Sequence, residues 1–362
     1  MFNLISRQMM SGVSLAASDH SLVIDGGSVW GFGLSDSYQL GDLTSSKYIR
    51  QPCKFPDLPA IKSVACNLST SLFLDCEGQV YICGRVFVDR INGISNNLDF
   101  QKPTLIPGLP PIVQMVANHY YLLFLAEDGS VWGCGCNFQR ETNTLVPKQL
   151  ENIPPMKKIA EVSRNPFLLD EQGAVWMTNT PFLQYLQPAV KHPQEVSCTK
   201  VPNIPPITDI CGRESSAIFL DQDGVTWNHQ PLSCVRKSFP NPITAISQGR
   251  YHSLYLDTAG TVWGFGGVRD AQFGVEEECV IPKKIKGLPE IKEVCAGLNH
   301  SLFVDYDNCV WAVGRNNNGQ LGLPQLGNHF AKKRYNSVIT KIPEVQCRNE
   351  FGLPTHKSAR NV

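Results

Sequence analysis

The sequence predicts an all-β fold, a seven-bladed β-propeller of four-stranded antiparallel blades. Three observations support this prediction. One short pattern recurs seven times, its copies are 36 to 51 residues apart, and each copy reads as a strand, a tight turn and a second strand. The clearest copies are "HSLYLDTAGTVWGFGG" (252–267), "HSLFVDYDNCVWAVGR" (300–315) and "HSLVIDGGSVWGFGL" (20–34).

The hairpin turn sets the register of the seven copies. Its first residue is Asp in six copies and Ala126 in the other, and the six aspartates are Asp25, Asp75, Asp170, Asp221, Asp257 and Asp305. A Gly of the turn supplies the positive φ that a tight hairpin needs. An aromatic residue follows, and we expect it to be buried between neighbouring blades. The seven aromatics, which include every tryptophan of the chain, are Trp30, Tyr81, Trp132, Trp176, Trp227, Trp263 and Trp311.

Further strands complete each blade. A strand-like piece such as "IKSVACN" (61–67) precedes the hairpin, and Pro-rich connectors such as "PDLPA" separate the copies. A single four-stranded sheet cannot bury both faces, whereas radial stacking of seven sheets can. We expect residues 12–19 and 335–345 to pair and close the ring in the last blade. The predicted organisation is a lead-in at 1–11, one propeller at 12–347 and a tail at 348–362.

Composition limits the functional classes. The chain has 32 basic and 32 acidic residues, so it lacks the basic excess with which proteins neutralise nucleic-acid phosphates. It has no long apolar run that would predict a membrane span, and its N-terminus does not resemble a secretory signal. Thirteen cysteines with no CxxC pair favour reduced thiols over a zinc site. We therefore expect a cytoplasmic monomer with no nucleic-acid partner, no cofactor and no metal, and no covalent-catalysis motif is present.

The turn between the first and second strands of each blade, G-x-x-H-S at its most regular, is the candidate binding region. The seven turns should crowd around one mouth of the central channel, and we call this surface the turn face: residues 17–21, 67–71, 118–122, 163–166, 213–217, 249–253 and 297–301. Residues that vary on a rigid scaffold are suited to partner recognition. The candidate partner-binding residues are Asp19, His20, His119, Tyr120, Arg164, Glu214, Arg250, Tyr251, His252, Asn299 and His300. For the three repeat histidines, hydrogen bonding to a neighbouring blade is the alternative interpretation.

The stretch "AGLNHSLFVDYDNCVWAVGRNNNGQLGL" (296–323) resembles the repeat of the regulator of chromosome condensation family. Traces of its Gly-Gln-Leu-Gly signature recur as "YQLG" (38–41) and "AQFG" (271–274), and the resemblance is weakest in the fourth and fifth copies. It implies a seven-bladed propeller whose turns contact the small GTPase Ran and help to release its nucleotide. An acidic residue before the histidine is one contact that the resemblance implies, and Asp19 matches it.

These observations leave two functions open. The first is a protein-binding propeller that engages a small GTPase, Ran or another, as a candidate guanine nucleotide exchange factor. The second is a non-catalytic scaffold or adaptor, for example a bacterial effector in the host cytosol. A related plant UV-B photoreceptor uses tryptophans in these turns, but here Arg250 occupies that position. The segments 85–101 and 177–203 are candidates for a protruding wedge, with ordinary surface loops as the alternative.

Overall fold

The computed structural model is an all-β molecule. It describes residues 14–43, 46–91, 94–118, 121–134, 145–162, 165–178, 198–213, 216–230, 233–267, 269–275, 279–323 and 335–342. These residues contain no helix, and therefore no helix long and apolar enough to cross a membrane. Their strands form seven four-stranded antiparallel sheets, so the predicted seven-bladed propeller is confirmed.

Each blade is one continuous stretch of chain. Blade 1 contains β1 (Ser14–Ala17), β2 (His20–Asp25), β3 (Ser28–Leu34) and β4 (Tyr48–Lys54). Blade 2 contains β5 (Ile61–Cys66), β6 (Thr70–Asp75), β7 (Val80–Ile91) and β8 (Ile94–Leu105). Blade 3 contains β9 (Ile112–Ala117), β10 (Leu122–Ala126), β11 (Val131–Cys134) and β12 (Lys148–Gln149). Blades 4 and 5 contain β13 (Met156–Ala160), β14 (Phe167–Asp170), β15 (Val175–Thr178), β16 (Cys198–Lys200); and β17 (Ile207–Arg213), β18 (Ser216–Asp221), β19 (Thr226–Gln230), β20 (Ser233–Lys237). Blades 6 and 7 contain β21 (Ile243–Gln248), β22 (His252–Asp257), β23 (Val262–Gly266), β24 (Cys279–Lys284); and β25 (Ile291–Ala296), β26 (His300–Asp305), β27 (Val310–Arg315), β28 (Tyr335–Lys341).

The first strand of every blade lies at the ring axis. Each first strand contacts the first strand of the next blade, and the series returns from β25 to β1. Within a blade the strands follow in chain order from the axis to the rim. The seven turns that follow the first strands therefore surround one mouth of the channel.

The expected mode of ring closure is wrong. β1 is the first strand of blade 1 and β28 is the fourth strand of blade 7, so the two terminal strands belong to different sheets. Blade 1 is complete with the consecutive strands β1 to β4, and blade 7 is complete with the consecutive strands β25 to β28. The seam between blades 7 and 1 is closed by packing and by hydrogen bonds between side chains and backbone, for example from Leu15 N to Glu293 Oε1 at 3.1 Å.

The hydrophobic cores lie between adjacent blades. Most of the largest fully buried side chains come from the second strands, among them Phe73, Phe124, Phe219, Tyr255 and Phe303. Each of these five rings lies opposite the repeat aromatic of the third strand, as in the pair of Phe303 and Trp311. The second-strand aromatics are thus the deepest part of the core.

The repeat aromatics were expected to be buried between neighbouring blades, but the structure leaves them only half buried. The indole N–H of Trp263 donates to Asp257 Oδ2 at 3.0 Å, and three further tryptophans bond the turn Asp of their own hairpin in the same way. A basic residue of the fourth strand lies opposite the ring in several blades, such as Lys284 opposite Trp263 and Lys200 opposite Trp176. The ammonium of Lys200 lies 5.9 Å from the ring centroid of Trp176, within the range of a cation–π contact.

Blade 2 carries an extended hairpin. Gly84 of β7 pairs with Thr70 at the start of β6, and seven more residues of β7 continue past this point to Ile91. β8 returns antiparallel, with Val86 opposite Leu98 and Val88 opposite Asn96. Because β6 begins at the turn face, the hairpin projects from that face. Segment 85–101, one candidate for a protruding wedge, thus lies in a β-hairpin whose register shifts between Val88 and Ile91. Most of segment 177–203 lies outside the described residues.

Candidate functional site

Small residues let the chain form the turn face. In blades 6 and 7 a Cβ on Gly249 or Gly297 would lie 2.4 or 2.5 Å from the Cε1 atom of His252 or His300. These glycines leave the space that the imidazole rings occupy. The G-x-x-H pattern of the sequence is thus a packing requirement.

The structure places the predicted site residues unequally. His119, Tyr120, Arg164 and Glu214 lie outside the described residues. Of the others, Arg250 and Tyr251 are exposed, Tyr251 to 51%. Asp19 is half buried, and Asn299 is only 8% exposed. Asp19, Tyr251 and Asn299 belong to the consecutive blades 1, 6 and 7, and each directly precedes a repeat histidine.

The three repeat histidines are buried inter-blade contacts, which corrects their place among the partner-binding residues. None of them is more than 1% exposed. Each imidazole Nε2 lies within hydrogen-bonding distance of a serine hydroxyl in the next blade: His20 with Ser71 at 2.8 Å, His252 with Ser301 at 3.0 Å, and His300 with Ser21 at 2.8 Å. We call these three pairs the histidine latches; they join blades 6, 7, 1 and 2 in series.

The serine partners determine the tautomer of each latch histidine. Each hydroxyl donates its one hydrogen to a backbone carbonyl: Ser71 to Gln39 at 2.5 Å, Ser301 to Gln272 at 2.5 Å, and Ser21 to Gln320 at 2.8 Å. The hydroxyl must then accept from the imidazole, so Nε2 carries the hydrogen. The Nδ1 atoms are buried without a hydrogen-bond partner, as a neutral ring allows. Burial, assisted by the charge of Arg213, lowers the pKa of all three histidines to about 3.

Arg213 closes the channel beneath the turn face. Its Nε donates to Glu161 Oε1 at 3.0 Å. Its terminal nitrogens donate to the carbonyls that end the first strands of three other blades, Ala17 at 2.9 Å, Ala296 at 3.3 Å and Cys66 at 3.3 Å. One guanidinium from blade 5 thus joins blades 1, 2, 4 and 7 at the axis. Its multiple N–H donors in a fixed plane suit this role.

Asp19 lies in a partly desolvated, arginine-rich environment. Burial raises the pKa of its carboxyl, while the charges of Arg315, Arg250 and Arg213 oppose this rise. The guanidinium of Arg250 lies 5.1 Å from the ring centroid of Tyr251, within the range of a cation–π contact. The exposed part of this site therefore presents a cation and an aromatic ring.

Sequence reasoning missed Arg213 and Glu161. Arg213 occupies the position of Gly249 and Gly297 in its own turn, and this replacement was the available signal. The absence of a histidine in that blade leaves room at the axis for a long side chain. Glu161 directly follows β13, the first strand of the adjacent blade, and carries no repeat signature.

The arrangement suits binding rather than covalent chemistry. Among the described residues, no group of three or more His, Cys, Asp or Glu side chains is placed to hold a metal ion. In the same part of the chain no disulfide joins the cysteines. Burial raises the pKa of Cys66, and that of Cys295 to about 12, so these thiols at the channel are not activated nucleophiles.

Comparison with known proteins agrees with the repeat analysis. Residues 291–320 match the family model of the regulator of chromosome condensation (RCC1) repeat. The regulator of chromosome condensation of Xenopus laevis is 32% identical over 127 residues, which are 32% of this chain and 28% of the relative. The match thus spans less than a third of that relative's length.

Two solved structures share the fold. Yeast RCC1 (Prp20), solved with bound Kap60, has a TM-score of 0.69 at 20% identity and covers 91% of this chain and 85% of its own. Human WBSCR16 has a TM-score of 0.64 at 17% identity and covers 81% and 86%. The chain is a seven-bladed β-propeller that carries a regulator of chromosome condensation repeat at residues 291–320 and resembles the propellers of that family.

Proposed function

We propose that the turn face is a protein-binding surface that engages a small GTPase, with guanine nucleotide exchange as its candidate activity. The observation that carries the proposal is the exposure of Arg250 and Tyr251 on a face whose described residues also include the buried latches and Arg213. Arg and Tyr are enriched among the residues that dominate binding energy in protein interfaces. A rigid base beneath them limits the entropy lost on binding.

The extended hairpin of blade 2 also favours the turn face as the binding surface. It projects from the turn face, so a partner that covers the channel mouth would also meet the hairpin. Exchange requires no covalent step from the propeller. It requires only that the propeller bind the nucleotide-free GTPase more tightly than the nucleotide-bound form, because this difference in affinity drives release.

The second candidate is a non-catalytic adaptor, and the environment of Asp19 favours it. The resemblance assigns a GTPase contact to an acidic residue at this position. Here the carboxyl is half buried and faces Arg315 and Arg250. The negative charge of Asp19 is thus partly compensated by arginines of the propeller itself. Yeast RCC1, which shares the fold, is found in complex with the protein Kap60, which supports a protein-binding role.

The test is nucleotide release from a panel of small GTPases loaded with fluorescent GDP, together with capture of each GTPase in its nucleotide-free state. We expect capture to be lost in the Arg250→Ala/Tyr251→Ala variant. Truncation of two such side chains at an interface centre costs about 2 kcal/mol or more of binding. Tyr306→Ala is the matched control, since Tyr306 is 64% exposed in the hairpin turn of blade 7, at the other end of the strands.

Each of three outcomes has a distinct interpretation. Capture without accelerated release would favour the adaptor. Capture that survives the double variant but is lost when residues 88–96 are replaced by Asn-Gly would move the contact from the channel mouth to the hairpin. Capture of no GTPase by the unaltered protein would refute the proposal.

A further inference from the structure

A glutamine side chain joins the first strands of blades 3 and 4. Gln114 Oε1 accepts a hydrogen bond from Ile159 N, and Gln114 Nε2 donates one to Ile159 O, both at 2.9 Å. One amide can form both bonds because it carries a donor and an acceptor. The two backbone groups of Ile159 are available because β13 is the innermost strand of its sheet. Gln114 thus clamps blade 3 to blade 4.

Glu293 occupies the same position at the seam between blades 7 and 1. Gln114 and Glu293 each lie opposite the residue directly before the first residue of their hairpin turn. Their partners, Ile159 and Leu15, each lie opposite the residue two positions before that turn residue. Leu15 N donates to Glu293 Oε1 at 3.1 Å, as Ile159 N donates to Gln114. One of the two bonds of the clamp is therefore present at the seam.

The second bond of the clamp requires a proton on Glu293. A carboxylate can only accept hydrogen bonds, whereas a neutral carboxyl group has one donor and one acceptor, as the amide of Gln114 has. The N–H and C=O of one strand residue point to the same side, so Leu15 O lies on the same open edge as Leu15 N. A carboxylate would direct its lone pairs at those of this carbonyl. The neutral acid would instead donate to it.

The surroundings of Glu293 favour the neutral acid. Burial raises the pKa of its carboxyl to about 7, although the bond from Leu15 N and the charge of Lys292 oppose this rise. The ammonium of Lys292 is itself bonded to Asn308 Oδ1 in the hairpin turn of blade 7. The thiol of Cys295, also on β25, is neutral because burial raises its pKa to about 12.

The strands packed against β25 are engaged elsewhere or carry no titratable group. The flanking first strands β1 and β21 contain no titratable residue. The neighbouring second strands are β22 and β26. Their titratable residues are His252, Tyr255, Asp257, His300 and Asp305, and each has a hydrogen-bond partner of its own.

We infer that Glu293 is a proton-operated clamp, which as a neutral acid bonds both backbone groups of Leu15 and closes the seam, and which on losing its proton releases the Leu15 carbonyl and loosens the seam. Because the folded pKa is raised from the ordinary 4.5, the extra stability of the closed seam is complete below pH 4.5 and is lost as the pH rises through about 7. The inference does not depend on the proposed function of the turn face.

Amide hydrogen exchange of Leu15, corrected for the intrinsic rate at each pH, measures opening of the seam. The variant Glu293→Gln copies Gln114 and cannot titrate. It should leave the protection of Leu15 at pH 6 unchanged and raise it about tenfold at pH 8 relative to the unaltered protein. The latch between His300 and Ser21 crosses the same seam in both proteins, so its own titration cancels in this comparison.

Two further variants and one spectrum complete the test. Glu293→Leu removes both bonds and should lower the protection of Leu15 already at pH 6. Glu290→Gln is the matched control, since Glu290 is exposed just before β25, and it should behave like the unaltered protein. In the unaltered protein the carbonyl carbon resonance of Leu15 should titrate with a midpoint near pH 7.

Three results would overturn the inference. The first is a protection of Leu15 that has the same pH dependence in the unaltered protein and in Glu293→Gln. The second is a loss of protection at pH 6 in Glu293→Gln, because it would show that the carboxylate is the form that holds the seam. The third is a Leu15 carbonyl resonance that does not change between pH 6 and pH 8.

Discussion

The histidine latches predict that this propeller loses stability between pH 7.5 and pH 5.5. An unfolded histidine has a pKa near 6.5, whereas burial lowers the pKa of the latch histidines to about 3. In this interval the unfolded chain binds protons that the folded chain does not. Stability is therefore complete above the unfolded pKa and is lost progressively as the pH falls towards the folded pKa.

The size of the effect follows from these pKa values. At pH 5.5 an unfolded histidine is about nine-tenths protonated, so each latch loses a little over 1 kcal/mol relative to pH 7.5. Three latches together lose about 4 kcal/mol. Glu293 opposes them, because burial raises the pKa of its carboxyl to about 7, and the folded state then gains a proton in the same interval. This gain offsets about 2 kcal/mol and leaves a net loss of about 2 kcal/mol from these four groups.

Denaturant unfolding at constant ionic strength and three pH values measures this loss. His252→Gln keeps a side-chain N–H donor for Ser301 but removes the titration. It should reduce the slope of stability against pH by about one proton near pH 5.5. Glu293→Gln is the opposite control and should make the slope steeper. Stability that rises from pH 7.5 to 5.5, or an unchanged slope in the glutamine variants of all three histidines, would refute the assigned neutral tautomers.

Two further predictions concern the axis and the blade interfaces. Arg213→Leu leaves the Glu161 carboxylate and several carbonyls without their donor, so it should cost about 3–5 kcal/mol of stability. The double variant Arg213→Leu/Glu161→Leu should cost less than the sum of the two single changes. Strict additivity in denaturant unfolding would show that the pair is not coupled. Phe303→Ala should cost about 3–5 kcal/mol, as expected for a fully buried ring, whereas Trp311→Ala and Trp263→Ala should each cost about half as much because these indoles are half buried. A larger loss of melting temperature for the tryptophan variants would contradict this order.

The repeat hairpin could be predicted from sequence because its signals are local. Asp257 and Gly260 define a turn, and the apolar residues on either side alternate as strands do. The repeat spacing then determines the number of blades. The partial burial of the tryptophans could not be predicted in the same way, because it depends on the register of the fourth strands, which place Lys284 opposite Trp263 and Lys200 opposite Trp176.

Ring closure and the central site depend on contacts that are distant in sequence. "YNSVITK" (335–341) has the composition of a strand that could complete either terminal blade, and only the register with β27 assigns it to blade 7. Arg213 contacts the carbonyl of Ala17, which is 196 residues away. No sequence pattern near Arg213 or Ala17 indicates that these two residues are in contact. The repeat predicted that the turns surround one channel mouth, but which of their residues are exposed depends on packing between blades.

The blades in the middle of the chain, where the repeat is least regular, are held in the ring by different contacts from the regular blades. The three latches join blades 6, 7, 1 and 2, which include the three copies with the most regular turns. Blades 4 and 5 lack the histidine and the serine, and blade 5 has Arg213 where the regular turn has glycine. That glycine serves to make room for an imidazole, so a blade without the histidine can accept a long side chain there. Arg213 then crosses the axis and bonds blades 1, 2 and 7, on the latched side of the ring. A change at Arg213 should therefore weaken the side that lacks latches more than the latched side. Amide hydrogen exchange of the Arg213→Leu variant should show faster exchange in β14 and β18 than in β2 and β26, and uniform acceleration in all four strands would contradict this division of the ring.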